Sequence, residues 1–151
     1  MNLKITVKLK ETLKMKAEKT LKSTKDKVNR YIQYLADRDA GQPASTGMSY
    51  TKTITGFNGQ KAKVKTEILK LEDGIYSVSF QTPTATNVMT YTYEQLDPET
   101  VRLVYEETTG STKTMEMLNQ KIVGFLLSRQ TKKQIRMRLE AFEAGLNEFH
   151  G

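Results

Sequence analysis

The chain has 151 residues, no cysteine and a net charge of +7. A chain of that length buries about two-thirds of its unfolded surface, so one domain without a disulfide or metal staple is expected. The missing cysteines exclude a disulfide framework, a thiolate zinc site and a cysteine nucleophile.

The charge is placed unevenly. Residues 1–30 hold ten Lys/Arg against three Asp/Glu, and the rest hold fourteen of each sign. The opening MNLKITVKLK sets Leu3, Ile5, Val7 and Leu9 against Lys4, Thr6, Lys8 and Lys10. That period of two predicts a strand with one buried face. It has no apolar segment of the kind a secretion signal needs, which points to a cytoplasmic protein. Ile122-Val123-Gly124-Phe125-Leu126-Leu127, the longest apolar run, is far too short to span a bilayer.

Leu13, Ala17 and Leu21 then recur every four residues, and Thr12 is placed to cap a helix of good helix formers. The competing reading continues the strand through Leu13, Met15 and Ala17. Ser23-Thr24-Lys25-Asp26 resembles a capping box with Asp in place of Glu, and Val28, Ile32 and Leu35 follow as the stripe of a second helix. AGQPASTG at 40–47 is a loop.

From Met48 the pattern is that of strands: 48–55, 61–71, 75–82, 87–95 and 100–109, separated by GFNG, EDG, TPTAT and LDPE. Such short connections predict an antiparallel meander. Alternation assigns Ala62, Val64, Ile68, Tyr76, Val78 and Phe80 to one face, together with Met89, Tyr91, Tyr93, Val101, Leu103 and Tyr105. Lys63, Lys65, Glu67, Ser77, Ser79, Thr90, Thr92, Glu94, Arg102 and Glu106 fall on the other. One face is therefore covered and one is wet.

The cover is the last segment. Ser111 or Thr112 can cap a helix over 114–149, roughly 54 Å long at 1.5 Å per residue. Its stripe is Met115, Leu118, Ile122 and Phe125, then Ile135, Leu139, Phe142, Leu146 and Phe149. The polar gap Ser128–Lys133 means either a kink or a helix that runs past the edge of the sheet.

The order strand, two helices, meander, long C-terminal helix resembles the helix-grip fold. This is an α+β architecture of the START-like (SRPBCC) superfamily, which includes the birch-pollen allergens and polyketide cyclases. Residues 48–140 are similar to a family of Firmicutes proteins of unassigned function, often encoded beside sugar phosphotransferase operons. VRLVYEE…LNQKIVGFL…KKQIRMRL is the most specific part. The resemblance implies a sheet curled around the long helix, with a space between them that often holds an apolar or amphipathic small molecule. From the sheet, Tyr76, Val78, Phe80, Met89, Tyr91, Tyr93, Leu103 and Tyr105 would line it. From the helix, Leu118, Ile122 and Phe125 would face them. The alternative is that these residues simply fill the core.

The resemblance brings no catalytic residue and no cofactor, and the sequence singles out none. His150, the one histidine, is next to last. GFNGQ is a hairpin turn rather than a phosphate loop. Asp37/Asp39, Glu72/Asp73 and Glu106/Glu107 lack partners in sequence for a metal. Lys14, Lys16, Lys19, Lys22, Lys25 and Lys27 crowd the predicted first helices, and Arg129, Lys132, Lys133, Arg136 and Arg138 cluster in the last. Such charge could engage nucleic acid or an anionic membrane, but no aromatic stacking motif or helix-turn-helix accompanies it. The expectation is a non-enzymatic ligand-binding module. The alternative is a regulatory protein whose basic N-terminal region binds a macromolecule.

Overall fold

The computed structural model describes residues 4–9, 13–55, 59, 61–81, 86–110 and 121–151; residues 4–9, 13, 54, 55, 62 and 121–131 are described by their backbone alone. Its elements are β1 (Lys4–Leu9), β2 (Leu13–Lys22), α1 (Lys25–Ala40), β3 (Ser49–Thr55), β4 (Lys61–Glu72), β5 (Ile75–Gln81), β6 (Thr86–Asp97), β7 (Thr100–Gly110) and α2 (Lys121–Glu148). The seven strands form one sheet in the order β1-β2-β7-β6-β5-β4-β3, antiparallel throughout.

Residues 13–22 are a strand, not the first of two helices. The reason lies in the period. Positions 13, 17 and 21 satisfy both a repeat of four and a repeat of two, and only 15 and 19 separate the templates. Met15, Ala17, Lys19 and Leu21 all point inward, at 2%, 0%, 1% and 1% exposure. Lys19 is the inward residue that disguised the alternation. Helix propensity loses here to a ten-residue ladder with β7, running from Leu13 opposite Thr109 to Lys22 opposite Thr100.

β2, and not β1, therefore lies beside β7, and β1 pairs outside it, Lys4 opposite Glu18. On the outer face Lys16 of β2 stands opposite Glu106 of β7. Nor do residues 13–22 form a basic helix. Lys14, Lys16 and Lys22 line the outer face of a strand, and Lys16 lies 3.9 Å from Glu18.

α1 starts one residue later than a Ser23 cap would set it. Thr24 has extended backbone and its hydroxyl accepts from the Lys27 amide at 3.2 Å. The helix stops at Gly41, whose φ of 70° and N–H bond to Asp37 make a left-handed C-cap. Asn29 ties α1 to the β4–β5 turn: its side-chain oxygen accepts from the Gly74 amide at 3.1 Å and from the Tyr93 hydroxyl.

β4 to β7 match the alternation read from sequence. Val64, Ile68, Tyr76, Val78, Tyr91, Tyr93, Val101, Leu103 and Tyr105 are buried. On the outer face Ser77 is also covered, with its hydroxyl 2.8 Å from that of Thr90. α2 covers the inner face with Ile135, Leu139, Phe142 and Leu146, spaced four, three and four, each at most 5% exposed. Its helical backbone runs through 128–133 without a break. The predicted caps at Thr12, Ser111 and Thr112, and Met115 and Leu118 of the stripe, lie outside the described residues. So do the side chains of Ile122 and Phe125.

Two seams hold α2 in place, and each yields a prediction. Tyr31 of α1 lies against Phe142 edge-on at 5.1 Å and against Phe149 at 5.4 Å. It fits only because residue 145 has no side chain: a Cβ there would stand 2.0 Å from the Tyr31 hydroxyl oxygen and 3.0 Å from the ring carbon that bears it. Gly145→Ala should therefore cost about 1–3 kcal/mol by overpacking. Adding Tyr31→Phe, which removes the closest atom, should restore part of it. Urea midpoints of the two variants test this, and equal midpoints would place the strain elsewhere.

At the second seam the Lys19 ammonium, 1% exposed, meets Glu143 of α2 at 2.8 Å. It is a close ion pair rather than an aligned hydrogen bond. Breaking such a pair by removing one partner leaves the other charge buried, whereas an apolar replacement of similar shape can be neutral. Glu143→Gln should thus destabilise by about 1–3 kcal/mol, discounted because Glu143 is partly exposed, while Lys19→Met should stay within about 1 kcal/mol of the parent or exceed it. The reverse order in chemical denaturation would refute this account.

Candidate functional site

The sheet's inner face is packed at one end and hollow at the other. Along β5, Tyr76 and Val78 are buried and Phe80 is only partly covered; along β6 the same gradient runs from Tyr93 through Tyr91 to Met89 and Asn87. Over the hollow end, between the sheet, α1 and α2, lies a cavity of about 540 Å³.

Its apolar lining comes from three sources. The sheet supplies Tyr76, Phe80, Met89 and Tyr91; α1 supplies Ile32 and Leu35; α2 supplies Phe142. The rings are ordered against each other. Tyr76 and Tyr91 stack at 6.4 Å and 7°, and Tyr91 stacks on Phe142 at 5.3 Å and 22°. Of the residues read from sequence as lining, these four from the sheet stand at the cavity. Val78, Leu103 and Tyr105 are on the same face but fully buried, in the filled part of the core. Tyr93 faces Asn29 and the β4–β5 turn instead. Leu118 and the side chains of Ile122 and Phe125 lie outside the description.

The polar lining forms two ion-paired groups. In one, Asp39 of α1 accepts from Lys52 of β3 at 2.8 and 3.0 Å and from the Tyr50 hydroxyl. The Lys52 ammonium also sits 4.5 Å from the centre of the Phe80 ring. In the other, Glu107 of β7 accepts from the Tyr105 hydroxyl at 2.8 Å and from Arg138 of α2 at 3.1 Å. Arg138 donates to the Tyr105 oxygen too, and its guanidinium lies 5.7 Å from that ring's centre. Arg38 and Asn87 are the other described polar residues of the lining.

None of these polar residues was singled out by sequence as part of a pocket, yet a signal existed. Lys52, Asn87 and Glu107 each occupy an inward position of their strand, where alternation calls for an apolar residue. Asp39 continues the Ile32, Leu35 face of α1 at i+7.

Burial keeps the tyrosines protonated. It pushes the Tyr91 hydroxyl up to about 12 and raises Tyr76 as well. Tyr105 is raised first by burial and then by the Glu107 carboxylate, and Tyr50 first by burial and then by its bond to Asp39. At neutral pH these groups are hydrogen-bonding hydroxyls and not bases. Among the described residues no set of three or more His, Cys, Asp or Glu is arranged to hold a metal. No described helix is long and apolar enough to cross a membrane.

No curated protein matches the chain. Solved structures do, at identities that speak to fold alone. Ara h 8.0201 matches with a TM-score of 0.64 at 12% identity, over 91% of this chain and 99% of that one. Protein Ms6760 from Mycobacterium smegmatis matches with a TM-score of 0.58 at 16% identity, over 98% and 100%. EF2215 from Enterococcus faecalis, a conserved protein of unknown function, matches with a TM-score of 0.50 at 12% identity, over 72% of this chain and 63% of its own length. The architecture is thus the helix-grip fold expected of the START-like superfamily. With a family model matching residues 7–128, the chain belongs to the DUF3284 family, a domain of unknown function.

Proposed function

We propose that the protein binds one amphipathic small molecule in the cavity between sheet, α1 and α2, and does no chemistry on it. The observation that carries this reading is the cavity itself. Its volume of about 540 Å³ falls within the range of about 300–1,000 Å³ that suits a small organic ligand. Its floor is aromatic and apolar, and its polar groups are few and fixed by ion pairs, the arrangement that buries a ligand's body and orients its ends. The Tyr76 and Tyr91 hydroxyls make no hydrogen bond among the described residues, so both are available to a ligand. Their raised pKa values support a role in holding rather than in proton transfer. The basic N-terminal region is a weaker place to look for a partner, because Lys19 is buried against Glu143 and Lys16 lies beside Glu18 and opposite Glu106.

The test uses a neutral aromatic fluorophore, N-phenylnaphthylamine, titrated into the whole chain. It should bind at one molecule per chain. Met89→Trp fills the cavity from a partly covered position and should weaken binding at least about tenfold, with an unfolding free energy within about 1 kcal/mol of the parent. Undiminished binding to a folded Met89→Trp variant, or no binding to the parent, would sink the reading.

A further inference from the structure

Among the described residues the charges around the cavity do not cancel: three cations line it, Arg38, Lys52 and Arg138, against two carboxylates, Asp39 and Glu107. Each carboxylate is already matched: Asp39 by Lys52 and the Tyr50 hydroxyl, Glu107 by Arg138 and the Tyr105 hydroxyl. Arg38 is left over. It has no ion-pair partner among the described residues, and its guanidinium rests 5.4 Å from the centre of the Tyr34 ring. It stands in the last turn of α1, where its charge suits the negative helix end. That diffuse partial charge does not occupy the planar fork of donors, which matches a carboxylate or sulfonate.

A second observation is independent of charge. Asn87 belongs to the lining, and its side-chain oxygen is buried with no hydrogen-bond partner among the described residues. A buried acceptor left bare carries a desolvation penalty that a donor on a ligand would relieve.

Resting on the cavity-binding reading above, we propose that the ligand is a monoanion with a flat ring body. It carries one anionic group facing Arg38 and one hydroxyl or N–H directed at Asn87. The stacked Tyr76, Tyr91 and Phe142 rings supply the surface on which the ring body lies.

Two dyes with one ring system test this. Anilinonaphthalene sulfonate is N-phenylnaphthylamine with one sulfonate added, and both carry an N–H. At low salt the parent protein should bind the sulfonated dye about tenfold more tightly, as a charge-assisted contact to a partly exposed arginine gives. Arg38→Gln should bring the two dyes to near parity by weakening only the sulfonated one, Arg38→Lys should keep part of the preference, and Met89→Trp should weaken both. Asn87→Leu should weaken both dyes severalfold and leave their ratio unchanged. Equal affinities in the parent, or a preference that survives Arg38→Gln, would overturn the anion assignment while binding of the neutral dye still upholds the cavity. Unchanged affinities in Asn87→Leu would remove the donor from the assignment. Failure of both dyes to bind the parent would overturn the cavity reading and this one together.

Discussion

The ten-residue ladder between β2 and β7 is the pairing on which the rest of the architecture depends. Without it the chain would be a meander with an open last strand and a loose N-terminal hairpin. With it, β7 becomes an interior strand, and the chain leaves β2 beside the β6–β7 turn, where the Ser23 amide donates to the Glu99 carbonyl at 2.9 Å. α1 then starts at one end of the sheet and β3 follows at the far edge, so the helix has to cross the sheet's inner face between them. The cavity is what this crossing leaves. α1 meets the packed end through Val28, and from Ile32 to its last turn, with Arg38 and Asp39, it runs over the hollow end. The position of the site thus follows from connectivity as much as from the residues that line it.

The hollow persists because the two faces that meet there are of mixed chemistry. At the packed end, Val101, Leu103, Leu139 and Leu146 are buried in one apolar cluster, and Lys19, inward opposite Leu103, is matched by Glu143. At the hollow end the inward positions hold Lys52, Asn87 and Glu107. Charged groups resist close packing against aliphatic side chains, since desolvation penalises them unless partners are supplied. Lys52 and Glu107 find their partners sideways, in Asp39 of α1 and Arg138 of α2, and the space above the aromatic floor stays unfilled.

Much of the sheet was legible because β4 to β7 alternate cleanly and are punctuated by Gly, Pro and Asp at their turns. The error at 13–22 and the unseen half of the cavity share one cause. Lys19, Lys52, Asn87 and Glu107 are polar residues at inward positions, and a reading that equates polar with outward misses all four. For Lys19 the inward charge broke a strand's alternation and let a helix of period four fit the rest. For the other three, it hid the polar walls of the pocket. Arg38, Asp39 and Arg138 were hidden differently: alternation predicts the face of a strand, but which helical turn lies over which strand is set by crossing geometry that no local pattern carries. Val78, Leu103 and Tyr105 show the same limit from the other side. They share a face with Phe80 and Met89, and Val78 even stands opposite Met89 and Tyr105 opposite Tyr91, yet all three are fully buried, which alternation alone does not reveal.

The inward polar residues also separate two uses of buried charge. Lys19 and Glu143 are closed on each other across a seam, with the ammonium 1% exposed, so that pair serves to fix α2 on β2, a question of register and stability. The Asp39–Lys52 and Glu107–Arg138 pairs are of similar length, yet they border open volume and each adds a tyrosine hydroxyl. A pair meant only to fasten helix to sheet gains nothing from a third group and an adjoining void. One that must hold its geometry whether or not a ligand is present gains from both, because the hydroxyl satisfies the carboxylate in the empty state. In the proposed binding reading, Tyr50 and Tyr105, held neutral by burial, belong to the frame that fixes the two ion pairs at the border of the aromatic floor.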